Sequence, residues 1–383
     1  MKRVLFVIPS YEIGGTVVSV KNLQLLLRDE YDITLMCMSG RGTMRNLYDD
    51  VIIARSPYIL QALSVPSWRS SNTIFGRFSF ACIRFIAKLD FIKELILKLC
   101  SIFYLRSSLY DVVIASQEGI CTKFVSYSQI QRKLAWVRCD YKRYFDSFGL
   151  KSEIDYYNKY FKIICVSEKT TKSFIDCYPF LSSRVLTIYN PQSADYIYNQ
   201  SLIDDKEERF DRSDFTIVSV GRFNPVKRFD RIPQIASFLK KNGIKFKWYI
   251  IGGGSQQVYS DINREIKRYA VQDNVILLGI KSNPHYYISN ADLLVSLSES
   301  EACPRVINEA KILHTPVVCT NFDTANEYIV SGVDGIISPI ESIENEILGI
   351  IKNDEQYQSI KLSISQFRFD NSDIISKIIE VIG

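Results

Sequence analysis

The feature that most constrains this fold is a repeated alternation of short apolar runs with amphipathic helical patterns. The apolar runs are continuous and β-branched, which is typical of parallel strands in a sheet covered on both faces. Helical patterns lie between them, at about 16–28, 229–241, 255–270 and 304–313. Strands that alternate with helices form βαβ units, so the sequence predicts an α/β protein with parallel sheets. The apolar runs are residues 3–9, 33–39, 112–116, 133–139, 162–167, 184–190, 215–221, 246–252, 275–279, 291–298 and 316–321.

A polar, acidic segment at 191–214 divides this alternation into two series. A chain of 383 residues also exceeds the size of one ordinary hydrophobic core. We therefore predict two doubly wound, Rossmann-like parallel-sheet domains that face a cleft. Ligands of such sheets bind beyond the carboxyl ends of the strands, which is where we expect the functional residues.

Composition argues against several classes of protein. The nine cysteines include no CxxC pair and the chain has two histidines, which argues against a zinc site or a disulfide framework and favours a reducing cytoplasm. Residues 1–9 lead directly into two glycines and a helical pattern, so we interpret them as a first strand rather than a signal peptide. No run of 18 uncharged apolar residues predicts a membrane span, and no nucleic-acid-binding motif is present.

Basic charge is concentrated in the first half of the chain. Residues 1–200 contain 26 Lys and Arg against 17 Asp and Glu, whereas residues 201–383 contain 21 against 25. Segment 60–108 combines seven basic and two acidic side chains with many Phe, Ile and Leu. Two interpretations of this segment remain open: interfacial helices on an anionic membrane, or core-packed helices with solvated basic edges. The basic residues that border its apolar faces are Arg77, Arg84, Lys88 and Arg106.

Two loops carry residue types that suit a phosphate. PSYEIGGT at 9–16 ends a strand with Gly14 and Gly15, whose free N–H groups favour a phosphate, although a plain tight turn gives the same pattern. SVGRFNPVKRFD at 219–230 places Arg222 and Lys227 beyond a buried strand. Two cations there suit a diphosphate, with Arg as the bidentate partner and Lys as a point charge. The alternative is a solvated basic loop.

A third motif, SESEACPRVINEA at 298–310, places Glu301 and Glu309 on either side of Pro304. Proline suits the first helical turn, and the chain before it can aim free N–H groups at a phosphate or at sugar hydroxyls. Glu309 can reach towards the helix start and accept hydrogen bonds from a ribose diol. The alternative is an ordinary helix with a first-turn acid and a surface acid. The predicted buried face consists of Val306, Ile307, Ala310 and Leu313.

The order of these motifs resembles family 4 of the glycosyltransferases. The resemblance covers most of the chain, is strongest from 215 to 335, and makes the third motif the E-x7-E signature of that family. The matching segments are Gly14-Gly15, Arg222 with Lys227, IIGGG at 250–254, LLGIKSNPHYY at 277–287 and SESEACPRVINEA, joined by CVSE at 165–168, IYNP at 188–191 and NEYIVSGVDG at 326–335.

The resemblance implies a GT-B fold and a retaining glycosyltransferase that uses a nucleotide sugar. Residues 1–195, with a C-terminal helix at about 367–383, would form the acceptor-side domain, and residues 196–366 the donor-binding domain. The SNP segment at 282–284 is similar to UDP-using members. No DxD cation site is present, so we expect neither a metal ion nor a cofactor besides the donor.

Matching positions imply a role for each site residue. Arg222 and Lys227 would bind the donor diphosphate and, with Glu301 at the transferred sugar, would be the catalytic residues. Glu309 would bind the ribose. The other implied donor contacts are Gly15 at the phosphates, Ile280 at the base, the backbone around Ala302 and Cys303 at the sugar, and Pro304 and Val306 at the helix start.

One segment departs from the family pattern. KLAWVRCDY at 133–141 resembles a segment that commonly reads Trp-hydrophobic-His before an Asp-containing loop, and Arg138 stands at the histidine position. Arg138 and Asp140 are therefore the acceptor-side candidates. Arginine cannot act as a general base, but in a retaining mechanism the departing diphosphate can take the acceptor proton. A second interpretation is a catalytically silent GT-B subunit that binds a sugar or a partner protein. The absence of GxGxxG argues against an NAD-dependent enzyme.

The resemblance and the basic first half together imply a function. We expect transfer of a hexose or N-acetylhexosamine to a saccharide or lipid-linked saccharide in cell-surface polysaccharide biosynthesis, of the capsule or lipopolysaccharide type. The protein would be cytoplasmic, with a peripheral contact to the inner face of the membrane through residues 60–108.

Overall fold

Two structural units make up the chain: unit 1 is Met1–Pro191 with Asn371–Gly383, and unit 2 is Gln192–Asp370. The computed structural model describes residues 1–12, 14–64, 89–148, 153–204 and 214–383. The division falls at the start of the segment predicted as a linker. Part of that segment is nevertheless a helix, Ala194–Ser201, which buries Ile197.

One parallel sheet forms the centre of unit 1. Its strands are β1 (Lys2–Ile8), β2 (Tyr31–Cys37), β3 (Ile52–Ile53), β4 (Val112–Ala115), β5 (Arg132–Val137), β6 (Lys162–Cys165) and β7 (Val185–Thr187). The strand order is β3-β2-β1-β4-β5-β6-β7. Central strand β1 pairs with β2 and β4 and is buried from Val4 to Ile8, which explains its uninterrupted apolar sequence.

The described helices of unit 1 connect and cover these strands. Helix α7 begins behind Ser167, whose hydroxyl accepts the N–H of Thr170 as an N-cap. The helices are α1 (Gly15–Leu27), α2 (Tyr58–Ser64), α3 (Asp90–Tyr104), α4 (Ile120–Ser126), α5 (Tyr141–Phe148), α6 (Ile154–Tyr157) and α7 (Glu168–Cys177), with the C-terminal helix Ser372–Ile382.

Unit 2 repeats this plan with a six-stranded parallel sheet. The strands are β8 (Phe215–Val220), β9 (Phe246–Ile251), β10 (Val275–Gly279), β11 (Leu293–Ser296), β12 (Val317–Thr320) and β13 (Ile336–Ser338), in the order β10-β9-β8-β11-β12-β13. The described helices are α8 (Ala194–Ser201), α9 (Ile232–Lys241), α10 (Gln256–Arg268), α11 (Pro284–Ser289), α12 (Arg305–Ile312), α13 (Ile343–Lys352) and α14 (Asp354–Ser365).

Each sheet reverses its strand order once. The reversal lies between β1 and β4 in unit 1 and between β8 and β11 in unit 2. Each unit therefore contains the doubly wound order 3-2-1-4-5-6, which confirms the prediction of two Rossmann-like parallel-sheet domains. In such sheets the crevice beyond the carboxyl ends of the two strands at the reversal is the usual ligand site.

The sequence predicted the positions of most strands correctly, but it predicted their first and last residues less accurately. Strand β5 stops at Val137, two residues before its predicted end, and β7 has three residues where 184–190 was predicted. The C-terminal helix begins at Ser372 rather than near 367. Short strands β3 and β13 were not predicted. Within the described residues, no helix combines the length and the apolar character needed to cross a bilayer.

Candidate functional site

The candidate site of unit 2 lies beyond β8 and β11, the two strands that flank the reversal of strand order. The loop after β8 carries the second sequence motif, and the loop after β11 carries the third. The two loops are joined directly, because the N–H of Glu299 donates to the carbonyl oxygen of Val226 at 2.9 Å. Below them, Ser219 Oγ donates to the carbonyl oxygen of Val295 at 2.6 Å. The fold thus brings together two motifs more than 70 residues apart in sequence.

A lysine and a glutamate meet where these loops join. Lys227 Nζ donates to Glu301 Oε1, and Ser298 Oγ donates to the same oxygen at 2.7 Å. The lysine side chain is 21% exposed and the glutamate 13%. Lys227 ends the short 3-10 helix Pro225–Lys227, in which Asn224 Oδ1 accepts the lysine N–H at 3.2 Å. An ammonium with one carboxylate partner keeps further N–H donors for an anion such as phosphate.

Glycines allow the neighbouring loops to pack closely on this pair. A Cβ at Gly221 would lie 3.4 Å from the Cε of Lys227, so the lysine side chain runs across that glycine. A Cβ at Gly252, where φ is 144°, would lie 1.8 Å from the carbonyl oxygen of Gly221. A Cβ at Gly254 would lie 2.3 Å from the carbonyl oxygen of Phe223. The GGG segment after β9 is therefore required for backbone contact with the loop after β8.

Ile280 is the residue predicted to lie at the nucleotide base. It follows β10, and its side chain is 63% exposed. It lies over the same glycine segment, since a Cβ at Gly253 would come within 2.5 Å of the Ile280 Cγ1. An exposed aliphatic side chain beside glycine backbone offers a flat apolar surface.

Arg222 is placed differently from Lys227. It is the second residue after β8, beyond the strand as predicted, and is exposed. Among the described residues its guanidinium has no hydrogen-bond or ion-pair partner, and it contacts neither glutamate. Of the two predicted cations, the structure therefore brings Lys227 to Glu301 and leaves Arg222 available.

Glu309 is buried, with 6% of the residue exposed, and is held by an ion pair. Arg305 Nη2 lies 2.7 Å from Glu309 Oε1, and His285 Nε2 lies 4.0 Å from the same oxygen. Burial alone would raise the pKa of Glu309. The charge of Arg305 and the nearby His285 have the larger opposite effect, so the pKa is lowered to about 2. The sequence placed Glu309 beside the buried helix face without a partner; the structure buries the carboxylate and pairs it.

The start of α12 differs by one residue from the prediction. Pro304 is the buried N-cap residue and the helix begins at Arg305, so the proline precedes the first helical turn instead of forming it. Ala302 and Cys303, before it, are half-buried. Thr324 Oγ1 fixes this segment by donating to the carbonyl oxygen of Glu301 at 2.8 Å. On the helix, Ile307 and Ala310 are buried as predicted, while Val306 and Leu313 are half-buried.

The glycine pair of unit 1 also lies at a reversal of strand order. Gly15 is the first residue of α1, and Gly14 before it is extended, with φ 177°. Thr16 Oγ1 donates to Gln117 Oε1 at 3.2 Å, which joins the start of α1 to the loop after β4. Gly15 therefore lies beyond the carboxyl end of β1, one of the two strands at the reversal of the unit 1 sheet.

The acceptor-side candidates of unit 1 both make structural contacts. Arg138 Nε donates to the carbonyl oxygen of Ser116 at 2.7 Å, and its Nη1 donates to Asn190 Oδ1. Asp140 Oδ1 accepts the backbone N–H of Arg143 at 3.2 Å, as a cap of α5, and also the hydroxyl of Ser173. Asp140 in addition lines a cavity of about 350 Å³ between α5 and α7.

Sequence reasoning missed several residues of the unit 2 site. Arg305 stood inside the third motif, and its spacing of four from Glu309 is the helical spacing of an ion pair, so this contact was predictable. His285 and Thr324 reach the site through tertiary contacts that no local spacing signals. Ser298 contacts Glu301 from three residues away, within the third motif.

A family model matches most of unit 2. Residues 201–363, less than half of the chain, match the family model described as glycosyl transferases group 1. An uncharacterised glycosyltransferase of Methanocaldococcus jannaschii is 24% identical over 225 residues, which are 55% of this chain and 53% of that protein. A capsular polysaccharide biosynthesis glycosyltransferase, CapM of Staphylococcus aureus, is 25% identical over 162 residues, which are 41% of this chain and 42% of that protein. The chain thus spans about half the length of these relatives or less.

A solved structure extends the likeness to both units. The crystal structure of Anabaena HepE in complex with UDP and glucose matches 100% of this chain and 99% of its own chain, with a TM-score of 0.75 and 18% sequence identity. At that identity the likeness establishes the fold. The chain therefore has the GT-B fold, and residues 201–363 within it match the glycosyl transferases group 1 model.

Proposed function

We propose that this chain is a retaining glycosyltransferase that transfers a hexose or N-acetylhexosamine from a UDP-linked donor. The observation that carries the proposal is the contact between Lys227 and Glu301 beyond the two strands at the reversal in unit 2. It combines a cation for a diphosphate with a carboxylate for sugar hydroxyls at the usual ligand position of the fold. As part of this proposal, we assign the chain to family 4 of the glycosyltransferases.

Each part of the donor has a candidate partner in unit 2. Lys227 would hold the diphosphate, and exposed Arg222 would join it as a bidentate partner. Glu301 would accept hydrogen bonds from the transferred sugar, and Glu309 from the ribose. The base would lie against Ile280, and the backbone from Ala302 to Val306 would lie at the sugar. The UDP bound to the Anabaena protein supports uridine as the base.

Charge development explains why these residues would be catalytic. The bond between the anomeric carbon and the diphosphate oxygen breaks, and negative charge grows on the departing diphosphate, where Lys227 and Arg222 stabilise it. The acceptor oxygen then bonds to the anomeric carbon on the same face, and its proton passes to the diphosphate. No metal ion or protein base is needed in this scheme, which fits an arginine at position 138.

Product stereochemistry and donor binding test this proposal. Thermal unfolding with a panel of nucleotide sugars should show stabilisation by one UDP-sugar, because a ligand that binds the folded state raises its apparent stability. Proton NMR of the product should show the anomeric configuration of the donor, and a chelator should leave turnover unchanged. An inverted product would contradict the retaining assignment, and a panel in which no nucleotide sugar binds would contradict the donor class.

We propose that the acceptor is a saccharide or lipid-linked saccharide in cell-surface polysaccharide biosynthesis, handled by a cytoplasmic protein at the inner face of the membrane. The relationship to CapM supports the pathway class. Helix α3 supports the membrane contact, because its outer face is apolar: Phe91, Leu95, Leu99 and Phe103 are 44–77% exposed. Opposite this stripe, Leu97 and Cys100 are buried. A helix that is apolar on both faces requires a second apolar or interfacial neighbour.

Basic side chains beside this stripe favour an anionic lipid surface as its occupant. Lys98 is exposed next to it, and the guanidinium of Arg106 lies 4.7 Å from the centre of the Phe103 ring. This is the arrangement of an interfacial helix, with apolar side chains inserted and cations at the headgroups. The predicted basic residues Arg77, Arg84 and Lys88 lie outside the described residues.

Liposome flotation tests the membrane contact. The protein should float with anionic vesicles at low salt, and a triple variant Phe91→Ser, Leu95→Ser and Leu99→Ser should not. A matched triple variant at exposed residues elsewhere, Phe180→Ser, Leu202→Ser and Leu362→Ser, should float like the wild type. If the stripe variant instead converts a dimer to a monomer and leaves flotation unchanged, a second copy of the chain is the occupant and the lipid assignment is wrong.

The alternative of a silent GT-B subunit is favoured by one observation. The side chain of Arg138 is already engaged by Ser116 and Asn190, so unit 1 offers no free side chain at that position for acceptor chemistry. Hydrolysis of the donor separates the two functions, since an active transferase slowly releases UDP in water whereas a silent subunit binds the donor without turnover.

A further inference from the structure

The two oxygens of Glu309 are not equivalent. Oε1 takes the ion pair with Arg305 at 2.7 Å and lies 4.0 Å from His285 Nε2. Oε2 has no hydrogen-bond partner among the described residues. A carboxylate has four lone-pair positions, so a group fixed through one oxygen still offers the other to a ligand. The contacts therefore fix the orientation of this side chain and leave one acceptor atom uncommitted.

Arg305 has an unfavourable place for an arginine whose only role is stability. It is the first residue of α12, where the helix dipole favours negative charge. It also precedes its glutamate by four residues, the less favourable order for a helical ion pair. Yet the pair is well shielded from solvent, with side-chain exposures of 19% for Arg305 and 8% for Glu309. A pair shielded in this way holds the carboxylate in one geometry.

His285 closes the other side of the carboxylate. It lies on α11, is 9% exposed, and packs edge-on against the ring of Tyr196 at a centroid distance of 6.3 Å. Two buried nitrogens beside Glu309, His285 Nδ1 and Arg305 Nε, have no hydrogen-bond partner among the described residues. Buried polar atoms without partners are uncommon in folded proteins and need an explanation, which a ligand in the site would supply.

We infer that Arg305, assisted by His285, is a positioning residue that fixes Glu309 through Oε1 so that Oε2 accepts the hydroxyls of the donor ribose. The inference rests on the proposed function, because it concerns the nucleotide of that donor. It assigns no contact between Arg305 and the substrate. Its consequence is specific: loss of Arg305 should remove the recognition of the ribose hydroxyls rather than the binding of base and diphosphate.

Comparison of UDP with 2′,3′-dideoxy-UDP measures this recognition. Calorimetry should show that the wild type binds UDP about tenfold more tightly than the dideoxy nucleotide, since a buried acceptor is left unpaired when the hydroxyls are missing. In Arg305→Met the ratio should fall to about two or less, through weaker UDP binding and unchanged dideoxy binding. Arg305→Lys should restore part of the ratio, and His285→Phe should reduce it less than Arg305→Met does. Glu309→Gln should remove it.

Controls separate positioning from general damage. Arg264 pairs with Asp261 at 2.9 Å on α10 and its side chain is 67% exposed, so Arg264→Met removes a helical arginine–acid pair away from Glu309 and should leave the ratio at its wild-type value. Circular dichroism checks that each variant folds, and Arg305→Lys carries the test if Arg305→Met does not fold.

The outcomes distinguish the inference from the proposed function. A wild-type ratio retained by a folded Arg305→Met or Arg305→Lys protein would overturn the positioning role while UDP binding still supports the proposed donor. A wild type that binds neither nucleotide would overturn both. With a UDP-sugar as substrate, Arg305→Met should raise the donor KM about tenfold with little change in kcat, the pattern of lost ground-state binding.

Discussion

Units 1 and 2 share one strand order but differ in the contacts at its reversal. In unit 2 the loops after β8 and β11 meet through a charged pair, Lys227 with Glu301. At the corresponding place in unit 1, the start of α1 and the loop after β4 meet through two neutral side chains, Thr16 with Gln117. The same fold therefore places ionic chemistry in one unit and a neutral contact in the other, so the strand order fixes where a site lies and the loop residues fix what it binds.

The cations of the two units show the same contrast. Arg138 of unit 1 is bound by a carbonyl oxygen and an amide oxygen of its own unit. In unit 2, Arg222 has no side-chain partner among the described residues, and Lys227 shares its charge with one carboxylate. A cation whose donors are bound by neutral acceptors, such as Arg138, stabilises the fold. A cation without a partner in the described part of the chain, such as Arg222, is suited to an anionic ligand. This difference supports the proposal that unit 2 binds the donor.

The largest expected effect comes from removing the lysine of unit 2. Lys227→Met should reduce transfer about a thousandfold, because it removes a charge placed where negative charge develops on the leaving diphosphate. Initial rates at saturating donor measure this effect. Lys245→Met, at an exposed lysine of the same unit, should keep wild-type rates. Transfer by Lys227→Met within tenfold of the wild type would remove the diphosphate assignment.

Loss of Lys227 should also lower the stability of the protein, so the rates must be corrected for the fraction that is folded. Glu301 is 13% exposed and would be left without its counter-charge. The double variant Lys227→Met with Glu301→Gln removes this penalty, so it should unfold at a higher temperature than Lys227→Met alone while remaining inactive.

The second largest effect contrasts two carboxylates whose pKa values are both lowered to about 2. Glu309 of unit 2 is buried, whereas Asp111 of unit 1 has a side chain that is 40% exposed beside Arg3. A shift of that size at a buried site corresponds to about 3 kcal/mol of stability near neutral pH. Glu309→Gln should cost stability of that order in urea unfolding, while Asp111→Asn should cost far less, because solvent screens an exposed pair.

The pH dependence of this difference has a defined sign. The folded-state pKa of Glu309 lies below its ordinary value of 4.5, so its stabilisation is complete above pH 4.5 and is lost as the pH falls towards 2. The gap in unfolding free energy between wild type and Glu309→Gln should therefore narrow across this window. A gap that is constant from pH 6 to pH 3 would contradict ionic stabilisation.

These contrasts also show how far the sequence can be interpreted. Buried parallel strands are continuous apolar runs, so the fold class and the strands other than β3 and β13 were predictable. The pair Arg305 with Glu309 was predictable from helical spacing. The contact of Lys227 with Glu301 spans 74 residues, and those of Arg138 span 22 and 52, so they depend on strand order that local patterns do not encode. The short strand β3 lacks the length for a recognisable period.

A third effect tests whether the cation of unit 1 is structural. Arg138→Met should lower the free energy of unfolding by about 2 kcal/mol, because it leaves the carbonyl oxygen of Ser116 and the amide oxygen of Asn190 without their donor. UDP affinity should stay within twofold of the wild type, since the donor is assigned to unit 2. Urea unfolding and calorimetry on the same preparation measure both quantities. A tenfold loss of UDP affinity with unchanged stability would reverse the comparison between the units.

The smallest expected effect tests whether substitutions in unit 2 weaken UDP binding only when they lie near the reversal of strand order. Gly349 lies within α13, and a Cβ there would meet no atom within 4 Å. Gly349→Ala should therefore raise the free energy of unfolding by about 0.5–1 kcal/mol through helix propensity and a more restricted unfolded chain. Gly252, where a Cβ would lie 1.8 Å from the carbonyl oxygen of Gly221, provides the opposite case, and Gly252→Ala should weaken both folding and UDP binding. If Gly349→Ala also weakened UDP binding, the difference between the units would extend beyond the loops at the reversal to the whole of unit 2.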